Sequence, residues 1–357
     1  MAGMSLASEL ASTHSVIVLE QEGQLAHHAT GRSAAAFLES YGGPEVRALT
    51  RASRPLLEAA AVDVPLLTPR PLLWIGGPGC EPVIAEMRRQ QPGLQELSPA
   101  DAQRMCSVVR TEWVAAAALE PDAQDIDVAG LHQAYVREAR RKGVTVARDS
   151  RVSEATYDGR TWRLRHAGGT ASAGVVVDAA GAWADHVATL FGARPCGLRP
   201  LRRTVVIART EQPVPASWPL VADVDDTFYF RPDGPNVLAS PADETPSEPC
   251  DARPEEADVA RAIERVNLAT TLGIRSVVTT WAGLRTFAAD RVPVMGYDPD
   301  VTGLFWLAGQ GGYGIQTAPA LARLAAGVLR GDVSPSADAP DVDPGALSPA
   351  RFRATTP

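Results

Sequence analysis

The chain has 357 residues, of which 34 are basic and 42 are acidic, so its formal net charge is −8. This length exceeds the ~250–300 residues at which one hydrophobic core stops growing, so we expect two domains. The acidic balance argues against a nucleic-acid partner, and no apolar run reaches the ~18 residues that a membrane span needs, so we expect a cytoplasmic location.

The first predicted elements are a helix at residues 4–11 and a short buried strand at residues 15–19 (SVIVL), which ends at Glu20. A carboxylate at the tip of the second strand of a dinucleotide-binding unit accepts hydrogen bonds from an adenosine ribose. In such units ~20 residues separate the Gly-x-Gly-x-x-Gly fingerprint from this acid, and Gly3 lies at nearly that separation before Glu20. We therefore expect Gly3 to be the last glycine of the fingerprint, with the preceding strand absent. An ordinary amphipathic N-terminal helix is the alternative.

The middle of the chain predicts two kinds of sheet. Residues 175–178 (VVVD) form a buried strand that breaks at small residues into a helix, and residues 145–147 are another β-like run. Residues 204–208 and 227–230 are instead typical of strands in an antiparallel sheet. The pattern predicts a discontinuous dinucleotide-binding domain with an inserted sheet domain.

Residues 304–317 (LFWLAGQGGYGIQT) are the most informative segment, and an Ala- and Leu-rich stretch follows them. An apolar run of strand length leads into four glycines and then a helix, which leaves backbone amides at a helix N-terminus open to an anion. Glycine is needed because a Cβ would block close approach to a pyrophosphate and because such turns require positive φ. The segment predicts a phosphate cradle, and a tight connection without a ligand is the alternative.

The cysteines and the C-terminal tail carry less information. The cysteines stand far apart, without metal-ligand spacing, at Cys80, Cys106, Cys196 and Cys250. We expect four reduced thiols and no metal site. The tail after Gly331 is rich in Pro, Asp, Ser and Ala, and this composition predicts loose order.

Seven stretches of the chain resemble the flavin-dependent D-amino acid oxidase family, which includes glycine and sarcosine oxidases, and most closely its bacterial D-arginine dehydrogenases. The stretches are HATGRSAA at 28–35, residues 65–71, 125–127, 178–183 and 227–229, WAGLR at 281–285, and residues 309–317. The resemblance extends over almost the whole chain, and the last two stretches are the most specific.

The resemblance implies an α/β fold with a discontinuous Rossmann-like FAD-binding domain, whose first strand this chain lacks, and a mainly antiparallel β-sheet substrate domain. The FAD-binding domain is expected at residues 1–55, 120–195 and 282–357. The substrate-binding domain is expected at residues 56–119 and 196–281.

The same resemblance assigns FAD as the cofactor. The residues expected to hold it are Gly3, Glu20, Gln21, Thr30, Gly31, Arg32, Ser33, Val152, Gly181, Gly311, Gly312, Tyr313, Gly314 and Ile315. Residues 30–33 offer small side chains, backbone amides and one guanidinium, groups that suit a pyrophosphate and the edge of a flavin ring. Alternatively, Arg32 is a solvated surface charge. Noncovalent binding is expected because Phe287 stands near the place where some relatives attach flavin through a cysteine.

The resemblance also assigns the substrate residues for a small-molecule amino acid. Arg285 matches the arginine that binds the substrate carboxylate through two parallel hydrogen bonds, and a structural salt bridge is the alternative. Tyr229 and Tyr41 match hydroxyls that close over this carboxylate, or they are core aromatics. Arg203 matches a second cation, and Gln316 is expected near the flavin face. We assign no general base, because flavin performs the hydride chemistry.

Two positions depart from the arginine-specific members of the family. Leu72 stands where those enzymes have a glutamate that pairs with the substrate guanidinium, and Ala36 stands where they have a histidine. A cationic side chain would be desolvated there without a partner. We therefore expect neutral or apolar D-amino acids to be oxidised to imino acids, which hydrolyse to 2-oxo acids and ammonia. The electron acceptor, and with it the choice between oxidase and dehydrogenase, stays open.

Two other functions remain as alternatives. The chain could be an N-terminally truncated remnant that is inactive or depends on a partner, because a missing central strand exposes the edges of its neighbours. An NAD-dependent reductase is disfavoured, because Arg285 and the C-terminal glycines have no role in it. Flavin content separates these alternatives.

Overall fold

The computed structural model describes residues 1–60, 64–332, 339 and 341–353. Within them the α-helices are α1 (Ala2–Leu10), α2 (Pro44–Ala60), α3 (Glu81–Gln90), α4 (Pro99–Met105), α5 (Val128–Arg141), α6 (Ala184–Leu190), α7 (Glu256–Ala269), α8 (Ala318–Arg330) and α9 (Pro344–Leu347). Short 3-10 helices cover Ala29–Arg32, Gly181–Trp183 and Pro349–Phe352. Helix α8 ends at Gly331, whose φ of 83° is the left-handed conformation that glycine adopts without a steric cost.

Strands alternate with these helices along the chain. They are β1 (Ile17–Leu19), β2 (Ala36–Phe37), β3 (Leu67–Pro69), β4 (Leu72–Gly76), β5 (Gln95–Leu97), β6 (Ala116–Glu120), β7 (Gln124–Ile126), β8 (Thr145–Ala147), β9 (Val152–Tyr157), β10 (Trp162–His166), β11 (Gly169–Ala173), β12 (Val176–Asp178), β13 (Arg199–Arg209), β14 (Leu220–Asp223), β15 (Tyr229–Asp233), β16 (Asn236–Ser240), β17 (Thr245–Pro246), β18 (Ser276–Phe287), β19 (Val294–Tyr297) and β20 (Leu304–Ala308).

Parallel strands lie in two small sheets on the side of the fold that contains α1 and α8. Strand β1 pairs with β8, and β12 pairs with β20, whose other edge pairs with the antiparallel β19. Helix α1 covers β12 and β20, since Leu6 and Leu10 pack in one cluster with Val177, Phe305 and Leu307. Among the described residues, β1 and β12 each have a strand partner on one edge only. The loss of the family's first strand stays a prediction.

A nine-stranded sheet forms the other side of the fold. Its order is β17-β13-β16-β15-β14-β4-β6-β5, and β18 pairs antiparallel with β13 along its whole length. Most of its pairs are antiparallel, and β4 with β14 is parallel. The sheet buries apolar residues against α4 and α7, among them Phe228, Phe230 and Val266. These strands come from separated parts of the chain.

The predicted α/β fold is confirmed. The predicted helix at 4–11 corresponds to α1, and the helix expected after the C-terminal glycines corresponds to α8. The predicted strands at 15–19 and 175–178 and the apolar run that begins at residue 304 correspond to β1, β12 and β20. Of these three strands only β20 is buried throughout; the expected burial of β1 is wrong, because β1 lines the cavity and Ile17 is 41% exposed. The predicted domain boundaries stay a prediction. The four cysteines are free thiols, of which Cys250 is exposed and the other three are buried.

The tail after Gly331 differs from expectation where the structure describes it. Val342 and Leu347 are buried in the cluster that contains α8, and Arg351 donates to Asp290 Oδ2 at 2.8 Å. The expected loose order is therefore wrong for residues 341–353, because a few apolar side chains and arginines in a polar tail find partners in the core. Residues 333–338, 340 and 354–357 lie outside the described residues.

Candidate active site

A cavity of about 1110 Å³ runs between the parallel strands and the nine-stranded sheet. One end is lined by α1, β1 and β12, and the other by residues of β4, β13, β15 and β18. Gly311, Gly312 and Gly314 of the 304–317 segment also line it. One elongated space therefore joins the predicted cofactor residues to the predicted substrate residues.

The glycine turn and Arg285 are built to fit each other. A Cβ at Gly312 would overlap the guanidinium of Arg285, and a Cβ at Gly311 would overlap the ring of Phe287. Gly311 also has a φ of 53°, which a residue with a side chain adopts rarely. A side chain at either position would thus displace the Phe287 ring or the flexible Arg285 guanidinium, in addition to obstructing the phosphate that the sequence predicts.

Arg285 lies near the end of β18 with its side chain 12% exposed. Its Nη2 donates to the hydroxyl of Tyr41, and its Nη1 is 3.5 Å from Glu244 Oε1. Burial lowers the pKa of Arg285, but Tyr41, Tyr229 and Glu244 outweigh this effect and the net shift is upward. The guanidinium therefore stays a cation inside the cavity.

Arg203 shares the site with Arg285 because of strand register. Strands β13 and β18 pair antiparallel, with Arg203 opposite Gly283, so Arg203 and Arg285 lie on the same face of the sheet. Arg203 is 8% exposed, and its Nε donates to the Asp243 carbonyl at 2.8 Å. Two cations thus face one end of the cavity.

Glu244 connects three arginines at this end. It accepts two hydrogen bonds from Arg291, at 2.9 and 2.8 Å, and Oε1 lies 3.4 Å from Arg203 Nη2 as well as close to Arg285. Burial raises the pKa of Glu244, but Arg291 and Arg285 hold it below its ordinary value. The carboxylate fixes the positions of the guanidiniums before any substrate binds.

The wall beside these cations is apolar. Leu72 is fully buried and packs with Leu220 and Ala222, and Ala36, Trp74 and Tyr229 pack against this cluster. All six line the cavity. Tyr41 contacts Tyr313 edge-to-face at 5.0 Å, and Tyr313 is buried behind the lining.

Gln316 lies at the glycine end of the cavity with its amide already engaged. Its Oε1 accepts from the Leu38 amide at 3.2 Å, and its Nε2 donates to the Leu38 carbonyl at 3.1 Å and to Thr50 Oγ1 at 2.8 Å. The side chain holds the segment after β2 to α2. Its expected place near the flavin face stays a prediction.

The other end of the cavity holds the residues predicted for the nucleotide. Glu20 follows β1, and its Oε1 accepts from the Glu22 amide at 3.0 Å. The remaining predicted residues that line this end or the glycine turn are Gly3, Gln21, Thr30, Ser33, Val152, Gly181, Gly311, Gly312, Gly314 and Ile315. Gly181 has a φ of 58° at the start of a 3-10 helix.

The loop at 29–33 is held by its own contacts. A Cβ at Gly31 would overlap the Ala26 carbonyl, so Gly31 makes this turn possible without itself lining the cavity. Arg32 lines the cavity, but its guanidinium pairs with Asp251 and donates to the carbonyls of Ala252 and Ala282, both at 3.0 Å. It is 16% exposed and so is not a solvated surface charge, and its expected role beside a pyrophosphate or flavin edge stays a prediction. Its guanidinium ties the loop to β18.

Sequence reasoning missed several groups at the site. Glu244 and Trp74 carry no local pattern that marks them, and only their contacts reveal them. His28 is another, because its ring packs on Trp183 at 4.6 Å and pairs with Glu22. The possible metal-ligand atoms of Glu22, His27 and His28 lie within 4.8 Å of one another. The spacing of the cysteines gives no indication of this cluster.

Comparison with known proteins decides the family. The model of the FAD dependent oxidoreductase (DAO) family matches residues 1–328. The chain belongs to this family. FAD is accordingly its cofactor, and the structure agrees, because the elongated cavity passes an acid-tipped strand and a turn in which a Cβ at Gly311 or Gly312 would overlap Phe287 or Arg285.

Individual relatives match part of the chain at 27–30% identity. The chain is 30% identical over 171 residues to FAD-dependent oxidoreductase domain-containing protein 1 of Bos taurus, which is 43% of this chain and 35% of that protein. It is 27% identical over 237 residues to glycine oxidase of Geobacillus kaustophilus, which is 66% of this chain and 62% of that enzyme. The matches thus span one third to three fifths of these relatives.

Solved structures share the fold over nearly the whole chain. The crystal structure of the Geobacillus kaustophilus glycine oxidase superposes with a TM-score of 0.84 at 22% identity, covering 98% of this chain and 96% of that one. Iminodiacetate oxidase of Chelativorans gives a TM-score of 0.80 at 20% identity, covering 98% and 96%. The particular closeness to D-arginine dehydrogenases stays a prediction. In the part of the chain that the structure describes, every helix is too short or too polar to cross a membrane.

Proposed function

We propose that this chain oxidises the amine of a neutral or apolar D-amino acid to an imino acid, which hydrolyses to a 2-oxo acid and ammonia. The observation that carries the proposal is the buried Arg285 guanidinium, which the glycine turn admits into the cavity beside Tyr41. A guanidinium fork at this position suits a carboxylate. Bound FAD supplies the hydride acceptor.

The remaining residues would position the amino acid. Arg285 would bind the carboxylate through two hydrogen bonds, with the hydroxyls of Tyr41 and Tyr229 and the cation of Arg203 close by. Glu244 holds both arginines, so little side-chain ordering is left for the moment of binding. Holding the substrate Cα in a fixed geometry is the main task of the protein, because the cofactor carries the difficult chemistry.

The apolar wall supports a neutral side chain. Leu72 belongs to a cluster with Ala222 and Tyr229 in which no side chain carries a carboxylate that could pair with a guanidinium or ammonium group. A cation there would lose its hydration without a partner, at a cost of several kcal/mol. Arginine and lysine should therefore be poor substrates.

Purified protein tests the proposal directly. We expect a yellow protein that releases FAD on acid precipitation, and that reduces an artificial electron acceptor with D-methionine, D-leucine or D-proline faster than with D-arginine or the L-enantiomers. Cys250 also lines the cavity, so Cys250→Ser is the control for noncovalent binding and should retain the same flavin content. A colourless protein that FAD cannot reconstitute would contradict the proposal.

A second candidate is an inactive or partner-dependent form of such an enzyme. It is favoured by β1 and β12, which line the cavity and each have one edge without a strand partner in the described part of the chain. Such a form would bind FAD weakly or fold poorly when expressed by itself, and measured flavin stoichiometry separates it from the first candidate.

A further inference from the structure

Three acidic residues line the cavity in the part of the chain that the structure describes, and they have different surroundings. They are Glu20, Asp178 and Asp226. Glu20 lies at the nucleotide end, and Asp178 is 2% exposed. Asp226 is the acid at the substrate end, where its side chain is 55% exposed. A carboxylate with accessible oxygens thus stands beside the site that would receive a carboxylate substrate.

The backbone fixes Asp226 in this position. It lies in the turn between β14 and β15, with a φ of 51°, and its amide donates to the Asp223 carbonyl at 3.0 Å. Asp223 is itself buried and accepts from the Thr227 hydroxyl. A non-glycine residue at positive φ is strained and persists where surrounding contacts impose it. Tyr229 begins β15 only three residues further along the chain.

The charges around Asp226 are unequal. Its Oδ2 is 3.9 Å from Arg203 Nη2, and the other charged groups that act on it are Arg285, Arg291 and Glu244. Three guanidiniums thus face two carboxylates, and one substrate carboxylate makes the cluster neutral. A second substrate carboxylate would have to approach Arg203 against Asp226, and like charges at such separations repel.

We propose that Asp226 is a specificity residue that excludes amino acids with a second carboxylate from this site. Without it, two arginines on one face of the sheet would attract an acidic side chain as well as the α-carboxylate. Discrimination by an unfavourable charge is a common route to specificity. The proposal rests on the proposed function, because it assumes that the α-carboxylate binds at Arg285.

The test compares isosteric substrates in the FAD-loaded enzyme. The measured quantity is the ratio of kcat/KM for D-glutamate to that for D-glutamine, and likewise for D-aspartate and D-asparagine, at about pH 8.5, where carboxyl groups are ionised. Asp226→Asn keeps the size and suits positive φ. Asp225→Asn is the matched control, because Asp225 is exposed and does not line the cavity.

We expect Asp226→Asn to raise both acid-to-amide ratios at least tenfold, which corresponds to ~1.4 kcal/mol, and Asp225→Asn to leave them within about twofold. Asp226→Gly, which suits the backbone equally, should show the same rise and replaces the asparagine variant if that one loses FAD. A wild-type preference for the acids, or ratios unchanged in the Asp226 variants, would overturn the proposal.

A binding measurement separates this proposal from the proposed function. Glutarate and its monoamide are titrated against the holoenzyme and followed by the flavin spectrum, which needs no turnover. If wild type binds glutarate more weakly than the monoamide and Asp226→Asn removes this difference, the proposal is supported even if no amino acid is oxidised. Equal relative affinities in wild type and variant refute it even if neutral D-amino acids are good substrates.

Discussion

Asp178 should make the stability of the protein depend on pH. It ends β12, is 2% exposed, and accepts from the Ala180 amide at 3.0 Å through Oδ1, whereas Oδ2 has no hydrogen-bond partner among the residues that the structure describes. Burial raises its pKa from 3.8 to about 8, the Ala180 amide opposes this, and the charge of Asp185 adds to it. The folded protein therefore holds Asp178 as a neutral acid at pH 7, while the unfolded chain ionises it.

The sign and size of the effect follow from these two pKa values. The stabilisation is fully present below the unfolded pKa and is lost as the pH rises through the folded pKa. At ~1.36 kcal/mol for each pH unit, the loss between pH 4 and pH 8 totals ~5 to 6 kcal/mol. This is a large share of the ~5–15 kcal/mol that stabilises a typical domain.

Asp178→Asn tests this reasoning, because the amide keeps an acceptor for Ala180 and cannot ionise. We expect the variant to gain stability over wild type with increasing pH, by ~4 kcal/mol between pH 5 and pH 8. Urea midpoints at fixed FAD concentration across this range measure the difference, with Asp225→Asn, at an exposed turn, as the control. A difference that does not change with pH would refute the argument and mean that Asp178 is ionised in the folded protein.

Three further predictions concern the site. Arg285→Ala should lower kcat/KM by a factor that corresponds to ~2–5 kcal/mol of transition-state stabilisation, with FAD content retained. Arg285→Lys should restore only part of kcat/KM, because an ammonium group lacks the guanidinium fork. Wild-type kinetics in Arg285→Ala would mean that another residue binds the carboxylate. Gly312→Ala should reproduce the Arg285→Ala kinetics because its Cβ displaces the guanidinium, while Gly327→Ala, whose Cβ meets only Asp332 at 3.8 Å, should have little effect. Leu72→Glu should gain activity on D-arginine and D-lysine and lose it on apolar substrates, and an unchanged substrate profile would show that Leu72 does not face the side chain.

Patterns among neighbouring residues were sufficient to predict several secondary-structure elements and the family. The β-branched run before Glu20 and the apolar run before the glycines are strands because residues of that kind pack in buried sheets, and the glycines break the second run because they adopt positive φ. These properties depend on neighbours within a few residues. The sequence therefore indicated β1, β20, α8 and the FAD family without knowledge of distant contacts.

Tertiary contacts decided what the individual side chains do. Arg285 meets Tyr41 across 244 positions in the chain, and it shares a face with Arg203 only because β13 and β18 pair in one particular register. Contacts with distant segments likewise determine that Arg32 donates to the Ala282 carbonyl and that Glu244 pairs with three arginines. A guanidinium has the same local sequence signature in a salt bridge, on the surface or in a binding site. Its role is determined by the charges and cavities that folding brings to it, so the structure alone could assign it.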